Sequence, residues 1–268
     1  MRGGIPRSPG RIFAWGMAGL VMLWLTAPVL VLLPLSFSGR RSFRFPPDTW
    51  SLRWYENFFT DSTWHASLLT SLKVGLLSTA ASMILGTMAA FALHKLYFSG
   101  KAFVTGFLLA PMIFPGVVSA IAIFGVYLTW HISGTLTGFV AAHTVLSLPF
   151  VIVSVRSALR IFDWELEKAA ASLGASPFET FRLVTLPLIL PGVLIGGLFA
   201  FVISFDEVVV SLFLQTPFVR TLPVQMYLSV TESIDPTVAA ASTIIVIVTV
   251  ASILISMLFW QKRKTSDA

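Results

Sequence analysis

Residues 188–218 read LILPGVLIGGLFAFVISFDEVVVSLFLQTPF, an apolar run in which the only charged side chains are Asp206 and Glu207. An α-helix needs about 20 apolar residues to cross a hydrocarbon core of roughly 30 Å. The run exceeds that length. It therefore predicts a membrane-spanning helix, which we place at about 188–215.

Five further apolar blocks bring the prediction to six transmembrane helices. We expect them at approximately 13–35, 67–97, 102–130, 134–155, 188–215 and 236–260. Composition agrees, because 56% of the residues are hydrophobic and 11% are charged, against roughly 25% charged in soluble domains. A transmembrane barrel would show alternating segments of about ten residues instead. The predicted fold class is an all-α integral membrane protein, with residues 1–268 as one domain.

The distribution of basic residues predicts an orientation. With the N-terminus inside, the cytoplasmic side carries Arg2, Arg7, Arg11, Lys95, Lys101, Arg156, Arg160, Lys168, Arg182, Lys262, Arg263 and Lys264. The other side carries Arg40, Arg41, Arg44, Arg53 and Arg220, with Lys73 at a helix end. Cytoplasmic loops are enriched in Lys and Arg, so we expect both termini to be cytoplasmic. The first block exceeds a signal-peptide core of about 7–15 residues, which favours a retained anchor.

Two local patterns concern the segments between and within these helices. Residues 36–65 form the longest predicted external loop, and their Trp and Tyr side chains predict a short interfacial helix. Pro111 and Pro115 lie in the third block and Pro149 in the fourth. Proline removes a helical hydrogen bond, so each of these positions permits a kink.

Residues 163–187 read DWELEKAAASLGASPFETFRLVTLP and separate the fourth and fifth blocks. Asp163 suits the N-cap of a first helix, and the alanine run has high helix propensity. Gly174 suits the left-handed position that ends a helix. The first short helix should therefore stop at Gly174.

A second short helix should start independently of the first. Ser176 is placed as its N-cap, Pro177 as its first residue, and Glu179 three positions after the serine completes a capping box. The sequence predicts a cytoplasmic helix pair. On these residues alone, an ordinary amphipathic connector lying on the bilayer remains an alternative.

This segment resembles the cytoplasmic signature of permease subunits of bacterial ABC importers, E-A-A, three residues, G, nine residues, I-x-L-P. The match consists of Ala169-Ala170, Gly174 and Val184-Thr185-Leu186-Pro187. Lys168 occupies the usual glutamate position, with Glu167 before it, and Val184 replaces isoleucine. The resemblance implies a coupling loop that docks on a separate ATPase, through Glu167, Lys168, Ala169, Ala170, Gly174, Leu186 and Pro187.

The resemblance also implies partners. They are an ATP-binding cassette ATPase dimer that binds ATP and magnesium, a second permease subunit forming a heterodimer, and a periplasmic or extracellular solute-binding protein, all at the bacterial inner membrane. The chain contains no G-x-x-x-x-G-K-[ST] phosphate loop. We therefore expect no catalytic residue, no resident cofactor or metal, and no nucleic-acid partner in this chain.

Asp206 and Glu207 are the candidate substrate-pathway residues, because ionisable groups at membrane depth are costly and usually functional. The stretch Ser204–Ser211, followed by Thr221-Leu222-Pro223, resembles the spermidine/putrescine branch of these permeases, and carboxylates suit a polyamine cation. Both acids could instead lie at the external interface without a special role. Other open alternatives are an iron(III) permease, an ion-coupled secondary transporter and a membrane enzyme, although His143 is isolated in the sequence.

Overall fold

Helices make up most of the chain, whose computed structural model describes residues 9–266. Within this range the α-helices are α1 (Pro9–Ser36), α2 (Arg53–Thr60), α3 (Ser62–Lys95), α4 (Lys101–Leu109), α5 (Gly116–Thr129), α6 (Leu136–Ile161), α7 (Glu165–Ser172), α8 (Pro177–Thr180), α9 (Leu186–Phe205), α10 (Val209–Leu214), α11 (Leu222–Thr231) and α12 (Thr237–Ser266). A 3₁₀ turn, Ala110–Met112, follows α4, and a π-helical turn, Phe181–Thr185, joins α8 to α9. The predicted helical class is confirmed for the described residues.

Several of these helices are long and apolar enough to cross a bilayer. Those that qualify individually within the described residues are Phe13–Ser36, Ser62–Lys95, Leu136–Ile161 and Pro177–Phe205. Helix α12 contains the further apolar stretch Thr237–Ser252, and its sequence remains apolar as far as Trp260. Six spans with both termini inside remain a prediction. Arg2 and Arg7, which contribute to that orientation, lie outside the described residues.

The third predicted span, 102–130, is a bent pair of helices. Lys101–Met112 and Gly116–Thr129 meet at 102° and count together as one further candidate span. Pro111 lies in the 3₁₀ turn and Pro115 directly precedes α5. Because proline cannot donate a backbone hydrogen bond, the α4 ladder ends here. The kink expected in this block is confirmed, whereas Pro149 lies inside the continuous helix α6.

The fifth predicted span, 188–215, differs from the structure at both ends. Its helix begins earlier, because Pro177–Phe205 is continuous through the π turn. It also ends earlier, at Phe205, and α10 starts separately at Val209. A single helix over 188–215 is wrong, since the side chain of Glu207 accepts hydrogen bonds from N–H groups of α10 and so allows a new helix to start.

Contacts divide the chain into two compact units, although the sequence predicts a single domain. The first unit contains the residues up to His65 and those from Met226 onward. Here α12 packs against both α1 and α2, and Asn57 Nδ2 donates to Thr237 Oγ1 at 2.8 Å. Helix α2 is the short helix predicted within residues 36–65. The two ends of the chain belong to one unit because their helices pack on each other.

The second unit, Ala66–Gln225, is built on the close packing of α6 against α9. A Cβ atom added to Gly196 would lie 2.9 Å from Cα of Val151. Added to Gly86 of α3, it would lie 2.8 Å from Cβ of the same valine. Glycine is therefore required for α3 and α9 to approach α6 this closely. The buried core at this contact comprises Ala90, Val151, Val155, Leu159, Phe162, Ile189, Val193 and Ala200.

Candidate functional site

In the loop between α6 and α9, the first helix, α7, starts one residue later than the sequence predicts. Oδ1 of Asp163 accepts the N–H of Glu165 at 3.0 Å, yet α7 starts at Glu165 and Trp164 occupies the N-cap position. The prediction of Asp163 as N-cap is wrong by one residue, although its carboxylate does satisfy a first-turn donor. The ring of Trp164 is fixed by contacts 4.8 Å from Phe162 and 4.9 Å from His94, between ring centroids.

Gly174 ends α7 in the predicted left-handed conformation, with φ of +86°. The N–H of Ala175 bonds to the carbonyl of Ala170 at 3.1 Å, and the N–H of Gly174 bonds to that of Ala171 at 3.0 Å. These two bonds form a Schellman motif, which satisfies carbonyls at the helix end. A Cβ at Gly174 would have no neighbour within 4 Å. The requirement for glycine is therefore set by the backbone angle and not by crowding.

The predicted capping box of α8 is present. Oγ of Ser176 accepts the N–H of Glu179 at 3.3 Å, and Oε2 of Glu179 accepts the N–H of Ser176 at 2.8 Å. Pro177 occupies the start of the helix, where its missing N–H costs nothing. The hydrogen bonds to Ser176 lower the pKa of the Glu179 carboxyl, because they favour its charged form.

Helix α8 continues without a break through the π turn into α9. Pro187 lies in the first turn of α9, directly after that turn. A proline ring clashes with the carbonyl four residues earlier in a regular α-helix, and the wider π turn relieves this crowding. Leu186 is half-buried and Pro187 is exposed. These two predicted site residues therefore belong to the first turn of α9.

Glu167 links α7 to two membrane helices. Its Oε2 lies 2.5 Å from Nζ of Lys95 at the end of α3, and its Oε1 accepts the hydroxyl of Thr185 at 2.7 Å. The side chain of Glu167 is 18% exposed, and Nζ of Lys95 also lies 5.0 Å from the ring centroid of Trp164. The sequence analysis identified Glu167 but missed its two partners, Lys95 and Thr185. Lys95 could have been noticed as a basic residue at the end of a predicted span, whereas Thr185 had no such signal.

Lys168 has a different environment from Glu167, its neighbour. Its side chain is 72% exposed and pairs with Oε1 of Glu165 at 2.7 Å. The hydrogen bond to Glu165, and then the charge of that residue, raise the pKa of Lys168. Ala169 is exposed and Ala170 half-buried. The residues predicted to couple to an ATPase thus divide into an inward-facing carboxylate and an outward-facing surface.

The outward-facing surface also contains two large apolar side chains that sequence reasoning missed. Leu173, which precedes Gly174, is 90% exposed, and Phe178 in α8 is 70% exposed. Their signal in the sequence was an apolar residue on each side of the turn. Exposed apolar side chains beside a charged rim are typical of an interaction surface.

Asp206 and Glu207 occupy different environments at the break between α9 and α10. Asp206 is the C-cap residue of α9 and is exposed, with its N–H bonded to the carbonyl of Val202 at 3.0 Å. The side chain of Glu207 is 12% exposed, and its two oxygens accept the N–H groups of Val210 at 2.7 Å and Ser211 at 2.8 Å. Glu207 therefore caps α10, and Asp206 is the acid of the pair whose side chain is exposed.

His143 is isolated in the sequence but not in the fold. Its Nδ1 lies 2.8 Å from Oγ and 3.1 Å from O of Ser204, and its Nε2 lies 3.0 Å from Oγ of Ser211. Oε2 of Glu207 is 4.0 Å from Nε2. Ser78 of α3 donates to Oγ of Ser204 at 2.9 Å. A buried polar cluster thus connects α3, α6, α9 and α10, which sequence spacing alone could not reveal.

Comparison with known proteins gives a consistent family. Residues 82–264 match the family described as "Binding-protein-dependent transport system inner membrane component". The chain is 31% identical over 249 residues to the spermidine/putrescine transport system permease protein PotC of Escherichia coli (strain K12), covering 93% of this chain and 94% of PotC. It is 30% identical over 248 residues to the putrescine transport system permease protein PotI of the same strain, covering 90% and 87%.

Solved structures share the fold. A crystal structure of a bacterial ABC transporter involved in the import of the acidic polysaccharide alginate matches with a TM-score of 0.74 and 18% identity, over 94% of this chain and 99% of that one. A second alginate transporter structure, in complex with a pentasaccharide-bound periplasmic protein, matches with a TM-score of 0.69 and 15% identity, over 91% of each chain. With the family match and the membrane-length helices, these findings show that the chain belongs to the inner membrane components of binding-protein-dependent transport systems.

Proposed function

We propose that this chain is a permease subunit of an ATP-driven importer that takes up polyamines such as spermidine and putrescine. The observation that carries the substrate class is the exposed carboxylate of Asp206, at the end of a membrane helix in a chain 31% identical to PotC. Polyamines are cationic at neutral pH, and a carboxylate at this position attracts them. Acidic side chains in membrane segments commonly mark solute pathways.

The coupling role belongs to the loop that contains α7 and α8. Exposed Lys168, Ala169, Leu173 and Phe178 form the surface that meets an ATPase, with the slim alanine face and the Gly174 turn allowing close approach. Glu167 faces inward and bonds to Thr185 just before α9. Motion of α7 is therefore passed to the membrane helix through this contact and the continuous helix beyond it.

The importer contains further subunits in this proposal. A separate ATPase dimer binds ATP and magnesium and hydrolyses ATP, while this permease performs no covalent catalysis. A second, different permease chain completes the pathway, and an external solute-binding protein delivers the substrate. The second alginate transporter structure, with its periplasmic protein, supports that last partner. We place the complex in the bacterial inner membrane, with six spans and both termini of this chain cytoplasmic.

An iron(III) permease is a weaker alternative for this site. Iron(III) is a hard cation that several oxygen ligands would have to surround. Both oxygens of Glu207 already accept backbone N–H groups, which leaves Asp206 as the available carboxylate of the pair. One exposed carboxylate suits an organic amine better than a coordinated metal ion.

Purification in mild detergent from the native membrane tests the assembly. We expect mass spectrometry to identify an ATPase and a second permease with the tagged chain. Repeated recovery of this chain alone, under conditions that preserve another importer in the same extract, would contradict the proposed assembly.

Transport by the purified complex in proteoliposomes tests the substrate. With the solute-binding protein outside and ATP inside, we expect ATP-dependent accumulation of labelled spermidine or putrescine. Iron(III) serves as the competing solute. ATP-dependent uptake of iron(III) without uptake of a polyamine would overturn the substrate assignment while leaving the permease assignment intact.

A further inference from the structure

His143 contacts both helices that flank the break at Asp206. It lies on α6 and is 1% exposed. Its Nδ1 reaches Oγ and O of Ser204, in the last turn of α9, at 2.8 and 3.1 Å. Its Nε2 reaches Oγ of Ser211, in the first turn of α10, at 3.0 Å. One imidazole ring therefore spans the interruption between two helices.

One tautomer of His143 makes every one of these contacts a hydrogen bond. The backbone carbonyl of Ser204 can only accept, so this is the tautomer that carries its proton on Nδ1. In a neutral imidazole the other nitrogen is then an acceptor, and it receives the hydroxyl hydrogen of Ser211. Ser204 and Ser211 are thus held by different atoms of the same rigid ring.

A second layer of hydroxyl groups fixes the histidine and its partner. Oγ of Ser147 donates to the carbonyl of His143 at 2.7 Å and lies 2.8 Å from Oγ of Ser82 on α3. Oγ of Ser78, also on α3, donates to Oγ of Ser204 at 2.9 Å. The histidine and the four serines in these contacts are all buried. Moving any of them would leave polar groups unpaired in an apolar interior, which is costly.

Glu207 lies in the middle of the break between α9 and α10 and holds the start of α10. Its carboxylate accepts the N–H groups of Val210 and Ser211, so it must face inward. Residues 204–211 are therefore held at Ser204, Glu207 and Ser211, while Asp206 between them is exposed.

We propose that His143 is a positioning residue that holds α9 and α10 at their break and thereby keeps the Asp206 carboxylate in one place on the exposed surface. Its importance for transport rests on the proposed function, in which Asp206 meets the solute. The positioning itself is a property of the fold and can be measured without any solute.

A distance measurement between two spin labels tests this positioning. The chain contains no cysteine, so Asp206→Cys and Ser157→Cys create the only two labelling sites in the full chain. Ser157 is exposed on α6, which packs against α9 and serves as the reference. In lipid nanodiscs, double electron–electron resonance should give one narrow distance distribution. We expect His143→Ala to broaden it at least twofold.

Matched variants separate positioning from general loss of structure. His143→Gln retains a planar polar group with an NH₂ donor and an acceptor oxygen, and it should broaden the distribution less than His143→Ala. Ser211→Ala removes one of the two contacts and should broaden it less than His143→Ala. His65→Ala, at an exposed histidine of α3, should leave it unchanged.

An unchanged distribution in both His143→Ala and Ser211→Ala would overturn the inference. That result would not affect the proposed function, which depends on polyamine uptake by the complex. Conversely, normal polyamine uptake by an Asp206→Asn complex would contradict the role of Asp206 as a pathway residue and leave the spin-label result standing.

Discussion

Asp206 and Glu207 are adjacent in the sequence, yet their side chains are suited to opposite tasks. The exposed carboxylate of Asp206 can attract a cation from solution. The carboxylate of Glu207 is 12% exposed and accepts two backbone hydrogen bonds. The sequence predicts both acids as pathway residues. Because adjacent helical positions point about 100° apart, the two side chains cannot face the pathway equally. Which acid faces outward depends on the capping of α10, a contact that residue patterns do not encode.

Replacing Asp206 by asparagine should weaken polyamine uptake. A hydrogen bond to a charged group contributes about 1.5–3 kcal/mol, so we expect the half-saturating polyamine concentration to rise roughly tenfold or more. Uptake kinetics in proteoliposomes measure this change. Glu232→Gln, at another exposed acid, is the control and should behave like the unmodified chain. If the unmodified chain and both variants showed identical uptake kinetics, Asp206 would be an interfacial acid without a role in uptake.

Replacing Glu207 by glutamine should destabilise the chain even though the two side chains have nearly the same shape. Both carboxylate oxygens accept an N–H group, and an amide can supply only one acceptor oxygen there. An unsatisfied buried group costs about 1–3 kcal/mol. We expect a lower Tm of the purified complex, measured by thermal unfolding in detergent. Glu165→Gln on the exposed face of α7 should leave the Tm unchanged, and an equal Tm for the Glu207 variant would argue against the cap.

At the scale of elements, the loop of α7 and α8 was the most predictable part of the site. Its signals are local: Gly174 adopts φ of +86°, and Ser176 and Glu179 form the capping box. Such patterns act within a few residues and are largely independent of the rest of the fold. The π turn was not predicted, because it depends on how Pro187 is accommodated in a helix that continues into the membrane.

Gly174→Val should abolish coupled transport without preventing membrane insertion. A side chain in the left-handed region costs about 1–2 kcal/mol, and a β-branched residue fits it poorly, so the turn between α7 and α8 should shift. We expect loss of polyamine uptake and of substrate-stimulated ATPase activity in the complex. Gly106→Val is the matched control, because Gly106 also has no neighbour within 4 Å of an added Cβ but lies inside α4. Normal stimulation of ATPase activity in Gly174→Val would remove the argument for this turn.

Glu167→Ala should uncouple ATP hydrolysis from transport. The substitution removes the contacts of α7 with Lys95 and with Thr185, so motion of the loop should no longer reach α9 efficiently. We expect fewer polyamine molecules transported per ATP hydrolysed, measured in the same proteoliposomes. The exposed variant Lys168→Ala keeps these contacts and should retain the original ratio if it still binds the ATPase. A ratio unaffected by Glu167→Ala would show that the contact carries no motion.

At the scale of the whole molecule, apolar blocks predicted the helical class and the approximate positions of most long helices. They could not predict the division into two units, because this depends on packing between α12 at one end of the chain and α1 at the other. The same limit applies within the site. Lys95 and Glu167 are 72 residues apart, and His143 and Ser204 are 61 residues apart. Such pairs are brought together by helix packing, which leaves no periodic signal in either partner.

The π turn affects the direction in which the side chains of α9 point around the helix axis. A π turn accommodates one residue more than an α turn, and one residue of an α-helix corresponds to a rotation of about 100°. If Phe181–Thr185 tightened to regular α geometry, every side chain of α9 would rotate by about that amount about the helix axis relative to α8. The direction in which Asp206 points therefore also depends on the turn at the opposite end of α9, whose last residue, Thr185, bonds to Glu167.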